Sequence, residues 1–210
     1  MCLIRAREQF GIVQGLDSYP TGRNEIMKTW AKAMTVLAIA MAVFAPVTMA
    51  ERPKDAQPSP WQHVEQQVGS AFIDMEYSRP GVKGRKVYGT DLVPYDGRMW
   101  RAGANERTAI TFSSDVTVNG QPLKAGTYGL LVIASEKEWT WVFNKDFMSH
   151  GTENYDEKSD VLRVKATPQA AEHAERLVYE FNDVTDDSVK IDIHWEKVRC
   201  GFEVKVAAAK

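Results

Sequence analysis

Cysteine is scarce in this chain: Cys2 and Cys200 are the two in 210 residues. Cys2 precedes a segment read below as a signal peptide, so the processed chain keeps Cys200 alone and has no intramolecular disulfide. The four histidines never fall three to five residues from another histidine or from a cysteine. That removes zinc spacing, and the expectation is no metal site. Also missing are a Gly-x-Ser-x-Gly elbow, a phosphate loop, a dinucleotide fingerprint and a carboxylate pair at motif spacing, so no cofactor is implied. Their absence lowers an enzyme reading and leaves the enzyme question open. No helical period and no internal repeat runs through the chain beyond residue 60.

Near the amino end, basic residues 27–32 are followed by apolar residues 33–47 and by the small-residue site Thr48-Met49-Ala50. This is the layout of a Sec-type signal peptide over 27–50. At 33–49 the apolar stretch is short for a membrane anchor, and no cysteine follows it to carry a lipid. The expected location is periplasmic or extracellular, with no membrane insertion after cleavage. Residues 1–26 read as an unstructured upstream extension, 51–59 as a proline-rich linker, 60–206 as one domain and 207–210 as a tail.

Within 60–206 the apolar residues alternate. Val64 and Val68 precede a Gly69-Ser70 turn, and Ile73, Met75 and Tyr77 return on one face. Asn119-Gly120 is the strongest hairpin signal in the chain. Residues 127–133 are apolar on both faces and read as a central strand, while Trp139, Trp141 and Phe143 share one side of the next. Residues 168–175 allow at most one helical turn. Val189, Ile191, Ile193 and Trp195 form one alternating strand, and Cys200, Phe202, Val204 and Val206 another. About nine or ten strands joined by hairpins predict an all-β domain, a single antiparallel β-sandwich or partly open barrel.

Between the hairpins lies a stretch, residues 77–112, in which cations, glycines and aromatics alternate with no apolar run long enough to read as core. Removing the five Lys+Arg and three Asp+Glu of the first fifty residues from the totals of 26 and 28 leaves a net charge of −4. Residues 78–111 hold seven Lys+Arg against three Asp+Glu, so a cationic island sits in an acidic body. That pattern favours a local anionic ligand over nucleic acid.

Arg79, Arg85, Arg98 and Arg101 carry the island, and guanidinium forks match carboxylate, phosphate or sulfate. The plain alternative is that they staple the loop by pairing with Asp91, Asp96 and Glu106. Glu106 is either an acid/base or the partner that orients Arg101. Tyr88 and Trp100 suit stacking against a sugar or pack at strand ends, and Asn105 offers directional hydrogen bonds. His150, in the polar loop 145–160, is the histidine to test for catalysis.

The strings Tyr77-Ser-Arg-Pro-Gly-Val-Lys-Gly-Arg-Lys-Val-Tyr-Gly, Leu92-Val-Pro-Tyr and Met99-Trp-Arg-Ala-Gly-Ala-Asn-Glu-Arg-Thr resemble a bacterial family, domain of unknown function 2911. So do Val116-Thr-Val-Asn-Gly-Gln-Pro-Leu-Lys-Ala-Gly-Thr-Tyr and Phe143-Asn-Lys-Asp. The resemblance spans roughly 58–206, with departures at Trp61-Gln62-His63 and Asp96. It implies an exported, β-rich protein and transfers no catalytic residue. The expectation is a binding module for a small anionic or carbohydrate ligand that uses Arg79, Arg85, Tyr88, Arg98, Trp100, Arg101 and Asn105. The alternatives are an extracytoplasmic hydrolase using Glu106 or His150 with Arg101, and a structural cell-envelope protein without a small-molecule ligand.

Overall fold

The structure is a computed structural model and describes residues 57–206. The upstream extension, the signal segment, most of the linker and the tail lie outside the described residues. Ten strands are present among the described residues: β1 (Trp61–Val68), β2 (Ala71–Ser78), β3 (Ala104–Phe112), β4 (Val116–Val118), β5 (Gln121–Leu123), β6 (Gly126–Ile133), β7 (Trp139–Asn144), β8 (Asp160–Ala166), β9 (Gln169–Asn182) and β10 (Ser188–Val206). One 3-10 turn, Glu157–Ser159, precedes β8.

The strands form two antiparallel sheets, β1-β2-β3-β6-β7-β8 and β5-β4-β10-β9, and neither closes into a barrel. The turn signals act where the sequence places them. Val68 pairs with Ala71 around Gly69-Ser70, and Val118 pairs with Gln121 around Asn119-Gly120, both of positive φ. The connector, whose sequence allows at most one helical turn, makes none and enters β9 at Gln169. Its residues pair with the middle of β10, at Glu196, Val198 and Arg199, and that pairing fixes the backbone as strand.

Alternating side chains from the two sheets meet face to face. Phe202 of β10 lies 5.1 Å from Trp141 and 5.3 Å from Phe143 of β7, measured between ring centroids. Tyr77 of β2 meets Tyr179 of β9 at 4.7 Å, edge to face. Leu130, Trp139, Ile191 and Ile193 are fully buried between the layers.

β10 doubles back on itself. The Val206 N–H donates to the Asp187 carbonyl at 2.8 Å, so the two ends of the strand are neighbours. Glu196, of φ +53°, sits at the bend, and a shift in the β9 register marks the same place. The alternating runs 189–195 and 200–206 are thus the two arms of one folded strand. Gly201 lies against Ile191 and Asp192 with no room for a Cβ.

The loop from residue 79 to 103 is also not an appendage. It runs from the edge strand of the smaller sheet to the middle of the larger one. Val82 N–H donates to Glu175 O at 2.8 Å, and Leu177 N–H donates to Pro80 O at 3.0 Å. At its other end Trp100 and Val132 exchange both backbone hydrogen bonds, at 2.7 and 2.8 Å. Val82, Val87, Tyr88, Val93, Trp100 and Ala102 are buried in the core. The stretch has no long apolar run, yet it contributes these residues to the core. Its apolar side chains come singly between turns, so no periodicity marked them, and only the cross-layer path buries them.

Candidate functional site

The site begins where β3 parts from β6 while Ala104 stays paired with Ser78 of β2. Thr108 pairs with Leu130, but two places further along β6, at Val132, the partner is Trp100 rather than a residue of β3. The chain between leaves the β6 register through Ala102 (φ +54°) and Asn105 (φ +58°). Asparagine tolerates this left-handed conformation, whereas alanine does not favour it. Ala102 is held there by its carbonyl, which accepts from Thr108 Oγ1 at 3.0 Å and from Tyr179 Oη at 2.8 Å. A cleft of 480 Å³ opens beside this excursion, with Arg98, Trp100, Arg101 and Asn105 in its wall.

The four arginines do not converge. Arg79 donates from Nε to the Leu177 carbonyl at 2.9 Å, and Arg85 reaches the Val82 and Gly81 carbonyls at 3.1 and 2.6 Å. Both bind backbone and neither lines the cleft. Arg98 is exposed and forms the surface staple that the sequence offers as the alternative. Its Nε meets Asp96 at 2.8 Å, and its Nη2 meets Asp91 at 3.0 Å. Backbone and side-chain hydrogen bonds from Arg98 hold the Asp96 carboxyl below its ordinary range.

Arg101 differs. It is half-buried, and its one hydrogen bond runs from Nη1 to the Asn105 carbonyl at 2.6 Å. Among the described residues no carboxylate pairs with it. Its guanidinium rests on Gly151, where an added Cβ would lie 3.0 Å from Nη2. The expectation that Glu106 orients Arg101 is corrected by this geometry. Glu106 is exposed and faces His150, with 3.9 Å between Oε1 and Nδ1, and the two residues also form a backbone bridge. Neither Glu106 nor His150 is among the residues that line the cleft.

The aromatic and amide candidates serve the fold. Tyr88 is buried and donates its hydroxyl to the Trp195 carbonyl at 3.1 Å. Burial, with the nearby Tyr95, Glu196 and Cys200 adding to it, raises that hydroxyl's pKa. Trp100 is 5% exposed and stacks on Trp195 at 6.3 Å, so little of its ring face meets the cleft. Asn105 Nδ2 reaches Gln57 Oε1 (2.5 Å), Ser59 O (3.1 Å) and Ser78 Oγ (3.1 Å), fastening the segment that leads into β1.

Sequence reasoning singled out the 145–160 loop for His150 and passed over the residues that fasten it and complete the wall. Arg107, on β3, is wholly buried beneath residues 145–151. Its Nη1 donates to Asp146 O at 2.6 Å and meets Asp146 Oδ2 at 3.1 Å, while its Nε reaches Gly151 O at 3.3 Å. Gly151 is thus gripped by Arg107 through its carbonyl and covered by Arg101 on its α-carbon. Thr152 and Tyr155, just beyond, face the cleft. The Tyr155 hydroxyl donates to Asp160 at 2.6 Å and accepts from Arg163 at 2.7 Å. Burial first, then the hydrogen bond to the Asp160 carboxylate, pushes its pKa up to about 12. No group of three or more His, Cys, Asp or Glu side chains suited to a metal occurs among the described residues.

The family model described as protein of unknown function (DUF2911) matches residues 59–204. No curated protein and no solved structure matches the chain. The matched span contains both sheets, the arginine-bearing loop and the 145–160 loop, and the chain belongs to the DUF2911 family.

Proposed function

We propose that this domain is a binding module for a small anionic ligand, received in the cleft beside Arg101. One observation carries the reading: a half-buried guanidinium lines a cleft and has a single carbonyl as its hydrogen-bond acceptor. Arginine donates five N–H bonds in a planar fork, so most of that capacity is left for a ligand. Further support comes from the backbone. Ala102, next to Arg101, is kept in an unfavourable conformation by two buried hydroxyls, and such strain collects where geometry serves a site. The volume, 480 Å³, falls within the range usual for small-molecule pockets. Stacking of a sugar on Tyr88 draws no support from a ring buried in the core.

The test is a thermal-shift and calorimetric screen of sugar acids, phosphates and simple carboxylates against the protein and Arg101→Ala. Binding to the parent, and its loss in a variant that melts within a few degrees of the parent, is the expected result. A variant that unfolds would mark Arg101 as a structural staple. We also propose export of the domain, which rests on the 27–50 segment. Mass spectrometry of the protein from the extracytoplasmic fraction should find an amino terminus just after Ala50, and an intact segment there would refute it.

A further inference from the structure

We infer that the cleft selects a monocarboxylate borne on an apolar body, in preference to a phosphate or a polyhydroxylated sugar acid. This deepens the reading above and rests on it. Charge is the first argument. Of the two arginines in the cleft wall, Arg98 is already neutralised by Asp91 and Asp96. Arg101 contributes one unpaired positive charge. The Asp91 carboxylate also lines the cleft and is 95% exposed, so a dianion beside Arg101 would meet repulsion from it. A single negative charge matches a single available cation.

Shape is the second argument. The guanidinium lies flat on Gly151 and is held at Nη1 by Asn105 O, so its remaining N–H groups form a planar edge. A planar carboxylate meets such an edge in two parallel hydrogen bonds, whereas a tetrahedral oxyanion leaves two or three oxygens facing other walls.

Those other walls are the third argument. Pro80, Leu92, Pro94 and Met99 supply apolar surface, and two of the polar groups beside them are engaged. The Tyr155 hydroxyl is bound to Asp160 and Arg163, and the Asn105 amide nitrogen to Gln57, Ser59 and Ser78. A sugar acid that laid its hydroxyls against Pro80, Leu92, Pro94 and Met99 would find no partners for them there, which is unfavourable. An aromatic or alicyclic ring would replace water there without that penalty.

The experiment titrates the purified protein with benzoate, cyclohexanecarboxylate, glucuronate, inorganic phosphate and the uncharged benzyl alcohol. Heat of binding and melting temperature are both read. The two ring carboxylates should bind, with glucuronate, phosphate and benzyl alcohol at least tenfold weaker. Arg101→Lys, which keeps the charge but loses the fork, should weaken benzoate at least tenfold. Asp91→Asn removes an exposed carboxylate, so it should fold normally and tighten benzoate several-fold. Glucuronate or phosphate binding better than benzoate would overturn the ligand class and leave the anion site standing. Benzoate binding that neither variant alters would overturn the placement. Silence from all the anions would overturn the anion site itself.

Discussion

The buried guanidinium of Arg107 meets the Asp146 carboxylate at 3.1 Å, and this contact, beside the backbone bridge between His150 and Glu106 of β3, fixes the loop over the larger sheet. The Arg107 side chain has no exposed surface, and its Nη2 lacks a hydrogen-bond partner. Burial alone would raise the Asp146 carboxyl. Hydrogen bonds from the Ser149 hydroxyl and from the Ser149 and Met148 N–H groups, together with the Arg107 charge, outweigh it and hold the carboxyl below its usual value.

The first prediction follows from that pair. Asp146→Ala leaves a buried cation without its counter-charge, and because the carboxylate is itself 35% exposed the loss is worth about 1–2 kcal/mol. Denaturant melts of the variant should show it, with added proteolysis in residues 145–155. The sign of the pH dependence is fixed as well. A carboxyl whose folded pKa is depressed stabilises the fold above its unfolded pKa, about 3.9. That contribution is lost as pH falls through the lower, folded value. Asp146→Asn should therefore flatten the acid limb of the stability curve below about pH 4. An unchanged acid limb would show that the pair does not contribute.

Arg107 also shows where the sequence stops being legible. It stands in Asn105-Glu106-Arg107, where any of the three polar residues reads as solvent-facing. Its burial depends on Asp146 and Gly151, each about forty positions further along the chain. The hairpins at Gly69-Ser70 and Asn119-Gly120 were legible because their signals are local, with φ values that a few residue types supply. Trp139, Trp141 and Phe143 were legible as one face because a strand imposes a period of two. The arginine partners were not, since a carbonyl acceptor leaves no trace in composition. Only the Arg98 staple, with acids two and seven residues away, could be read directly.

The folded-back tenth strand gives a sharper test. A Cβ on Gly201 would overlap the Ile191 carbonyl and lie 2.5 Å from Asp192 Oδ1. The carbonyl is backbone and cannot swing away, so Gly201→Ala should separate the two arms of β10 and leave little soluble protein. Gly120→Ala is the control. It meets nothing within 4 Å but adopts φ +79°, so it should cost roughly 1–2 kcal/mol through strain alone. Equal melting temperatures for the two variants would contradict the fold-back.

Tyr88 separates packing from ligand contact. Removing its hydroxyl in Tyr88→Phe deletes one buried hydrogen bond, to Trp195 O, and should cost about 1 kcal/mol. Tyr88→Ala removes a ring packed against Tyr95, Trp139 and Trp195, and should cost about 3–5 kcal/mol. Neither effect depends on a ligand. Tyr88→Phe should accordingly bind carboxylates as the parent does, and a variant that keeps its stability but loses binding would return Tyr88 to the site.

Cys200 tests the sandwich from the inside. The thiol is 2% exposed on the inner face of β10, and burial is the main cause that pushes its pKa up to about 12. At pH 8 about one thiol in ten thousand would then be the reactive thiolate. Exposure and charge thus act in the same direction, and neither alone need be complete for the group to be inert. Iodoacetamide followed by peptide mass mapping should leave Cys200 unmodified in native protein for hours. In guanidinium chloride the same residue should label within minutes, because unfolding restores both water and an ordinary thiol pKa. Rapid native labelling would mean that the arms of β10 open locally at low cost, and the folded-back strand would then be a mobile element rather than part of the core.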